Sequence, residues 1–147
     1  MSYYGSLTEA RDYFASKLYR DLWHQTDPDN QVRALNDATE RIDRLNYAGS
    51  RTLATQTLQF PRDGSDEVPL SIRRATYEVA FQLLDGADPE VMYTLLRRAE
   101  TQVGPNRSRN DTRLIPEHIA NGIPSLLAWS YIKPYLRDRS RIHLQRS

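Results

Sequence analysis

Few residues of this chain have the type and spacing that chemistry needs. The three histidines, His24, His118 and His143, are the obvious metal ligands and general bases. None sits in an HExxH or comparable neighbourhood, the spacing that sets two imidazoles on one helix face around zinc. Asp27, Asp29 and Asp37 miss the spacing of a calcium loop and lack its central glycine. No GxGxxG, GxxxxGK or GxSxG occurs, so the usual phosphate cradles and the nucleophile elbow are missing. There is no cysteine, which removes thiolate ligands, thiol nucleophiles and disulfides. The remaining carboxylates alternate with arginines at helical spacing, the pattern of a solvated face. The sequence predicts no enzyme, no metal site and no cofactor.

What the chain does have is arginine. Lys17 and Lys133 are its only lysines among 20 basic residues, yet the net charge is just +1. A planar guanidinium suits protein interfaces and phosphates, but this balance argues against a dedicated duplex-DNA binder. Three stretches carry the candidate contacts. The elbow Phe60-Pro61-Arg62 lies in Leu58–Ile72, where two prolines force the chain out of helix. An excursion over residues 100–113 carries Val103, Arg107, Arg109 and Arg113. The tail, residues 137–147, carries Arg137, Arg139, Arg141, Ile142, His143, Leu144 and Arg146. Its basic and apolar alternation suits an extended arm that adds to a partner's sheet edge or groove.

Helices must position these stretches. Ser6-Leu7-Thr8-Glu9 matches a capping box and predicts a helix presenting Ala10, Tyr13, Phe14, Leu18 and Leu22 on one side, with Trp23 near its end. Asp27-Pro28 opens a second helix, striped with Val32, Leu35, Ala38, Ile42 and Leu45 and closed by Gly49. Its outer face offers Asp37–Arg41 and Glu40–Arg44 pairs. Residues 50–60 read as a short helix ending before Phe60 or as an extended approach to the elbow, with the helix the favoured reading. A third helix covers Pro69–Asp85, and Asp88-Pro89-Glu90 starts a fourth with Met92, Leu95 and Leu96 as its apolar positions. Ile115-Pro116 and Ile123-Pro124 bracket a broken segment, and a last helix runs from Pro124 until Pro134 ends it. The expected fold is mainly α: a small bundle of four to five helices, with a loop or hairpin excursion and an extended C-terminal arm.

The length of 147 residues fits one domain, divided here into a helical body, 1–136, and the arm, 137–147. No apolar run is long enough to span a membrane and no signal pattern opens the chain. A cytoplasmic setting is expected.

The order of landmarks resembles one family, the small head-completion or head–tail connector (adaptor) proteins of tailed phages. Its members also carry the name of DnaT-like single-stranded DNA-binding proteins. The matching residues are the Tyr3-to-Phe14 opening, Trp23, Ala34-Leu35, Ala38-Thr39, Ile42-Asp43, Tyr47 and Gly49. The elbow Leu58-Gln59-Phe60-Pro61-Arg62 follows, then Ala75 and Glu78-Val79-Ala80, Val103-Gly104, and Ile132-Lys133-Pro134-Tyr135-Leu136 before a basic tail. Val68-Pro69 stands where the family often has Ile-Pro, and the stretch after Val103-Gly104 is richer in Arg and Asn.

The resemblance implies a ring of about twelve identical subunits beneath the portal, in the neck of the virion and assembled in the host cytoplasm. It implies that Arg137, Arg139, Arg141, Ile142, Leu144 and Arg146 hold the portal protein. The excursion from Val103 to Arg113 would face the next tail or nozzle protein, and passing genomic DNA would be touched without sequence readout. Two other readings stand beside it: a single-stranded DNA-binding module, and a tail-completion protein lower in the neck.

Overall fold

A computed structural model describes residues 2–103 and 115–138. The protein is mainly helical, with no strand among the described residues. In chain order the helices are α1 (Leu7–Ala15), α2 (Asp21–Gln25), α3 (Pro28–Asp43), α4 (Leu70–Leu84), α5 (Pro89–Val103), α6 (Glu117–Ala120) and α7 (Leu126–Ile132), and a 3₁₀ turn, Lys133–Tyr135, follows. Five of the seven have seven residues or more.

α4 is the axle. Every residue from Ala75 to Phe81 is buried, and a helix apolar on all sides must be surrounded. α3 and α7 pack along it, while α1 and α2 cross its end. Thr76 satisfies its buried hydroxyl on the Ile72 carbonyl, 2.9 Å away. Phe14, Trp23 and Phe81 interlock at that end, with Phe14–Trp23 ring centroids 4.9 Å apart and Phe14–Phe81 5.9 Å apart.

The caps follow the sequence signals in part. Ser6 Oγ accepts from the Glu9 amide at 3.1 Å, as a capping box requires. The reciprocal half is missing. Glu9 turns to Arg73 at 2.6 Å, and the Ser6 amide donates instead to the Tyr77 hydroxyl at 3.2 Å. Asp27 caps α3 by accepting from the Asn30 amide, with Pro28 in the first turn.

Several expectations need correcting. The first helix stops at Ala15, so Leu18 is 78% exposed rather than on the buried stripe. Ser16 closes α1, Tyr19 takes a positive φ of 60°, and the chain doubles back so that Trp23 reaches Phe14. α3 ends at Asp43, well before Gly49. Gly49 is needed elsewhere: at φ +76° it lies so close to Asp63 that a Cβ would sit 2.2 Å from that carboxylate.

Residues 50–60 form no helix. Arg51 bridges to Arg62, the Asp63 amide donates to Ser50 O at 2.8 Å, and the Thr52 amide donates to Pro61 O at 3.0 Å. Backbone partners across the loop thus replace helical ones. Neither expected pair along α3 forms: Arg41 reaches Glu90 of α5 at 3.0 Å in place of Asp37, and Glu40 and Arg44 are not within ion-pair distance. α5 continues through Val103, so residues 100–103 belong to a helix and not to the excursion. Of the apolar positions of α5, Met92 and Leu95 are exposed. The segment bracketed by prolines holds α6 and buries Ile115, Ile119 and Ile123.

Candidate functional site

The elbow is built around one aromatic ring. Phe60 is buried and meets three tyrosines nearly edge-on: Tyr47 at 4.8 Å, Tyr135 at 5.6 Å and Tyr4 at 6.0 Å between centroids. Such pairs are worth about 0.5–1.5 kcal/mol each beyond the area they bury. The three partners come from the N-terminal segment, the loop after α3 and the end of the chain's last turn. One side chain therefore joins the beginning, middle and end of the body.

Polar groups lock the ring in place. The Phe60 amide donates to the Tyr4 hydroxyl at 3.1 Å, and that hydroxyl donates to Asp43 Oδ1. Asp43 also accepts from the Gln59 amide, 3.3 Å from Oδ2. Tyr47 gives its hydroxyl to the Ile42 carbonyl at 2.7 Å, satisfying the last turn of α3. Burial, then the Asp43 hydrogen bond, pushes the Tyr4 hydroxyl well above the usual tyrosine range. Burial also raises the carboxyl of Asp43, against the lowering effect of its two donors.

Arg62 is a structural brace. Its guanidinium donates to Ala48 O (3.0 Å), Gly49 O (2.8 Å), Gln59 O (3.1 Å) and Gln59 Oε1 (2.9 Å). It also lies over the Tyr47 and Phe60 rings, at 5.9 and 6.0 Å. A guanidinium has five N–H donors, and these contacts use most of them. Of the elbow residues, Phe60 and Arg62 therefore hold the loop together and leave little for a partner.

The elbow's output is the exit of the chain. Leu136 bridges antiparallel to Tyr47, the Ala48 amide donates to Tyr135 O at 3.0 Å, and the Arg137 amide donates to Asn46 O at 2.9 Å. Arg137 is exposed beyond this clasp. The other tail candidates, Arg139, Arg141, Ile142, His143, Leu144 and Arg146, lie outside the described residues, as do Arg107, Arg109 and Arg113. Val103 is the last residue of α5.

The chain matches the model of the family described as "Putative DnaT-like ssDNA binding protein" over residues 2–105. The chain belongs to this family. The match takes in α1 to α5 and the whole elbow, and stops before α6. No curated protein and no solved structure matches the chain.

For a DnaT-like protein the placement of aromatics matters, because unspecific single-strand binding uses exposed rings beside basic residues. Here Tyr4, Phe14, Trp23, Tyr47, Phe60, Tyr77, Phe81 and Trp129 are all buried. Tyr3, Tyr13, Tyr93, Tyr131 and Tyr135 are half-buried, and Tyr19 is 85% exposed. It sits in the turn between α1 and α2, two residues from Lys17, whose Nζ stands 5.0 Å from the Tyr13 ring.

The buried ion pair at the same corner escaped sequence reasoning. Arg20 meets Glu78 at 2.8 Å, and Tyr13 donates to the second Glu78 oxygen at 2.5 Å. A charged residue, Glu78, between the apolar Tyr77 and Val79-Ala80-Phe81 of α4 was the available signal. His118 contacts the Ile123 carbonyl at 2.8 Å, and His24 is exposed at the end of α2. No cluster of His, Asp or Glu that would hold a metal occurs among the described residues, and none of their helices is long and apolar enough to cross a membrane.

Proposed function

We propose that this chain is a head–tail connector, an adaptor that forms a ring of about twelve copies below the portal of a tailed phage and lets the genome pass. The observation that carries this reading is the clasp. A rigid aromatic knot fixes the point at which the chain leaves its body, and the sequence beyond it is the basic and apolar tail. An arm rooted on an immobile base gains in effective concentration when many copies act together.

Two further observations support it. Eight of the described aromatic rings are buried in the core, and Tyr19 is the one exposed ring among the described residues. α5 exposes Val91, Met92 and Leu95, and α7 exposes Leu126 and Leu127, apolar surface of the kind that protein contacts cover. In this reading Arg137 and the tail arginines hold the portal, and the region after Val103 meets the next tail protein. Contact with DNA is transient, since a channel that neutralised many phosphates would grip what it must release. The test is co-purification with the candidate portal, with and without residues 137–147, and imaging of the product. Portal attachment that survives the deletion overturns the arm's role.

A second reading, a single-stranded DNA-binding module, is favoured by the family's description and by Tyr19. Titration of labelled oligonucleotides separates the two. Submicromolar, salt-sensitive binding by the isolated chain, lost in Tyr19→Ala, would establish the module.

A further inference from the structure

α5 is held by little. Its chief neighbour is the four-residue α6, and Arg41 of α3 ties down Glu90 near its start. Pro89 and Tyr93 line a cleft with Ile119 and Ala120 of α6. The other side of the helix carries Val91 and Leu95, 52% and 57% exposed, with Met92 beside them. A fifteen-residue helix is marginal on its own in water and takes most of its stability from packing.

The stripe itself says what covers it. Asp88, Val91, Leu95 and Arg98 follow one another at intervals of three, four and three, the seam spacing of paired helices. The two ends of that seam are opposite in charge. Both are exposed, and neither forms an ion pair with a described residue. Turned end for end about Tyr93, the seam matches itself: Val91 falls opposite a second copy's Leu95, and Asp88 opposite its Arg98. A parallel pairing would set acid on acid and arginine on arginine, which repel. The stretches of this chain outside the described residues match the face less well. Residues 104–114 have only Pro105 and Leu114 to bury, and residues 139–147 have no acid to meet Arg98.

We propose that α5 pairs antiparallel with α5 of a second copy, giving a two-fold dimer of the free chain with a Val91–Leu95 core between two Asp88–Arg98 ion pairs. The contact stands apart from the ring reading, because a two-fold interface closes on two copies and does not propagate around a ring.

Two measurements test it. Sedimentation velocity of the full chain over a concentration series is expected to show monomer and dimer in equilibrium. Arg98→Asp sets acid against acid at both ends of the seam and is expected to weaken the dimer by at least about tenfold. The position is exposed, so the fold should be undisturbed. Because the chain has no cysteine, Val91→Cys and Leu95→Cys chains carrying tags of different size report the register. Mixed and oxidised, they are expected to give the mixed disulfide in excess of either like pair. A chain that stays monomeric at every concentration, a dimer indifferent to Arg98→Asp, or an excess of like-pair disulfides would each overturn the pairing. A wild type that passes straight to rings without a dimer would also overturn it and leave the connector standing. A dimer that never forms a ring, with or without portal, would keep the pairing and sink the connector.

Discussion

Arg20 and Glu78, 58 residues apart in sequence, meet at 2.8 Å with the carboxylate side chain only 1% exposed. The contact pins the α1–α2 corner to the middle of α4. The guanidinium also lies 4.6 Å from the centroid of the Phe81 ring, and the Tyr13 hydroxyl completes the carboxylate's shell. Removing the acid alone would leave a half-buried cation and a phenol without their acceptor.

Glu78→Ala is therefore expected to destabilise the protein by about 3 kcal/mol, the range for breaking one side of a buried pair. Urea unfolding measures it. A loss under about 1 kcal/mol would mean that the pair behaves as an exposed one.

Phe60→Ala removes the ring that Tyr4, Tyr47 and Tyr135 share. An expected loss of about 3–5 kcal/mol should come with faster amide exchange at Ala48 and Arg137, whose N–H groups hold the exit clasp. Unchanged exchange there would show that the clasp does not depend on the ring.

Ser125 caps α7 by accepting from the Ala128 amide at 3.1 Å, and it is buried. Ser125→Ala should cost about 1 kcal/mol, while Ser125→Gly should cost only about a few tenths. Thermal melts of the three chains decide it.

Acid sensitivity has three assignable sources among the described residues: Arg41 holds the Glu90 carboxyl low, Lys133 holds that of Glu117 low, and Asp27, the helix cap, is the third. Hydrogen bonds from the Asn30 amide and then its side chain hold the Asp27 carboxyl below the usual range. A carboxyl depressed in the folded state stabilises fully above its unfolded value, about 3.9, and that stability is lost as pH falls through the folded value. Asn caps as well as Asp but does not titrate. Asp27→Asn should match the wild type near neutral pH and show a shallower decline below about pH 4; an unchanged acid limb would exclude Asp27 as a source.

Tyr19 holds a left-handed backbone with its ring in solvent. Asn tolerates that conformation, so Tyr19→Asn should raise stability by about 0.5–1 kcal/mol. A destabilised variant would show that the ring packs somewhere.

The sequence was most legible where periodicity and caps agreed. α3 and α4 have long apolar stripes with proline or acid at their starts, and both begin where those signals put them. It misled where a long-range partner outweighed local preference. Leu18 continues the stripe of α1, but Glu78 draws Arg20 and breaks the helix before that residue is buried. Thr52, Thr55 and Thr57 fit either a helix or a loop, and the choice fell to Asp63 and Pro61, which supply backbone partners from the far side. Of the site, the Phe-Pro-Arg elbow stood out in the sequence, but its meaning did not. Arg62 looks like a contact residue until four carbonyl oxygens are found around it. Tyr4 and Tyr135, at opposite ends of the chain, gave no local hint that they share Phe60.

The antiparallel bridge between Leu136 and Tyr47 has a mechanical meaning. A tug on whatever follows Asp138 reaches the Arg137–Asn46 and Ala48–Tyr135 main-chain bonds first, and behind them the ring of Phe60. Tension on the terminus is thus handed to the ring cluster around Phe60, as a rope is tied to a cleat and not to a plank.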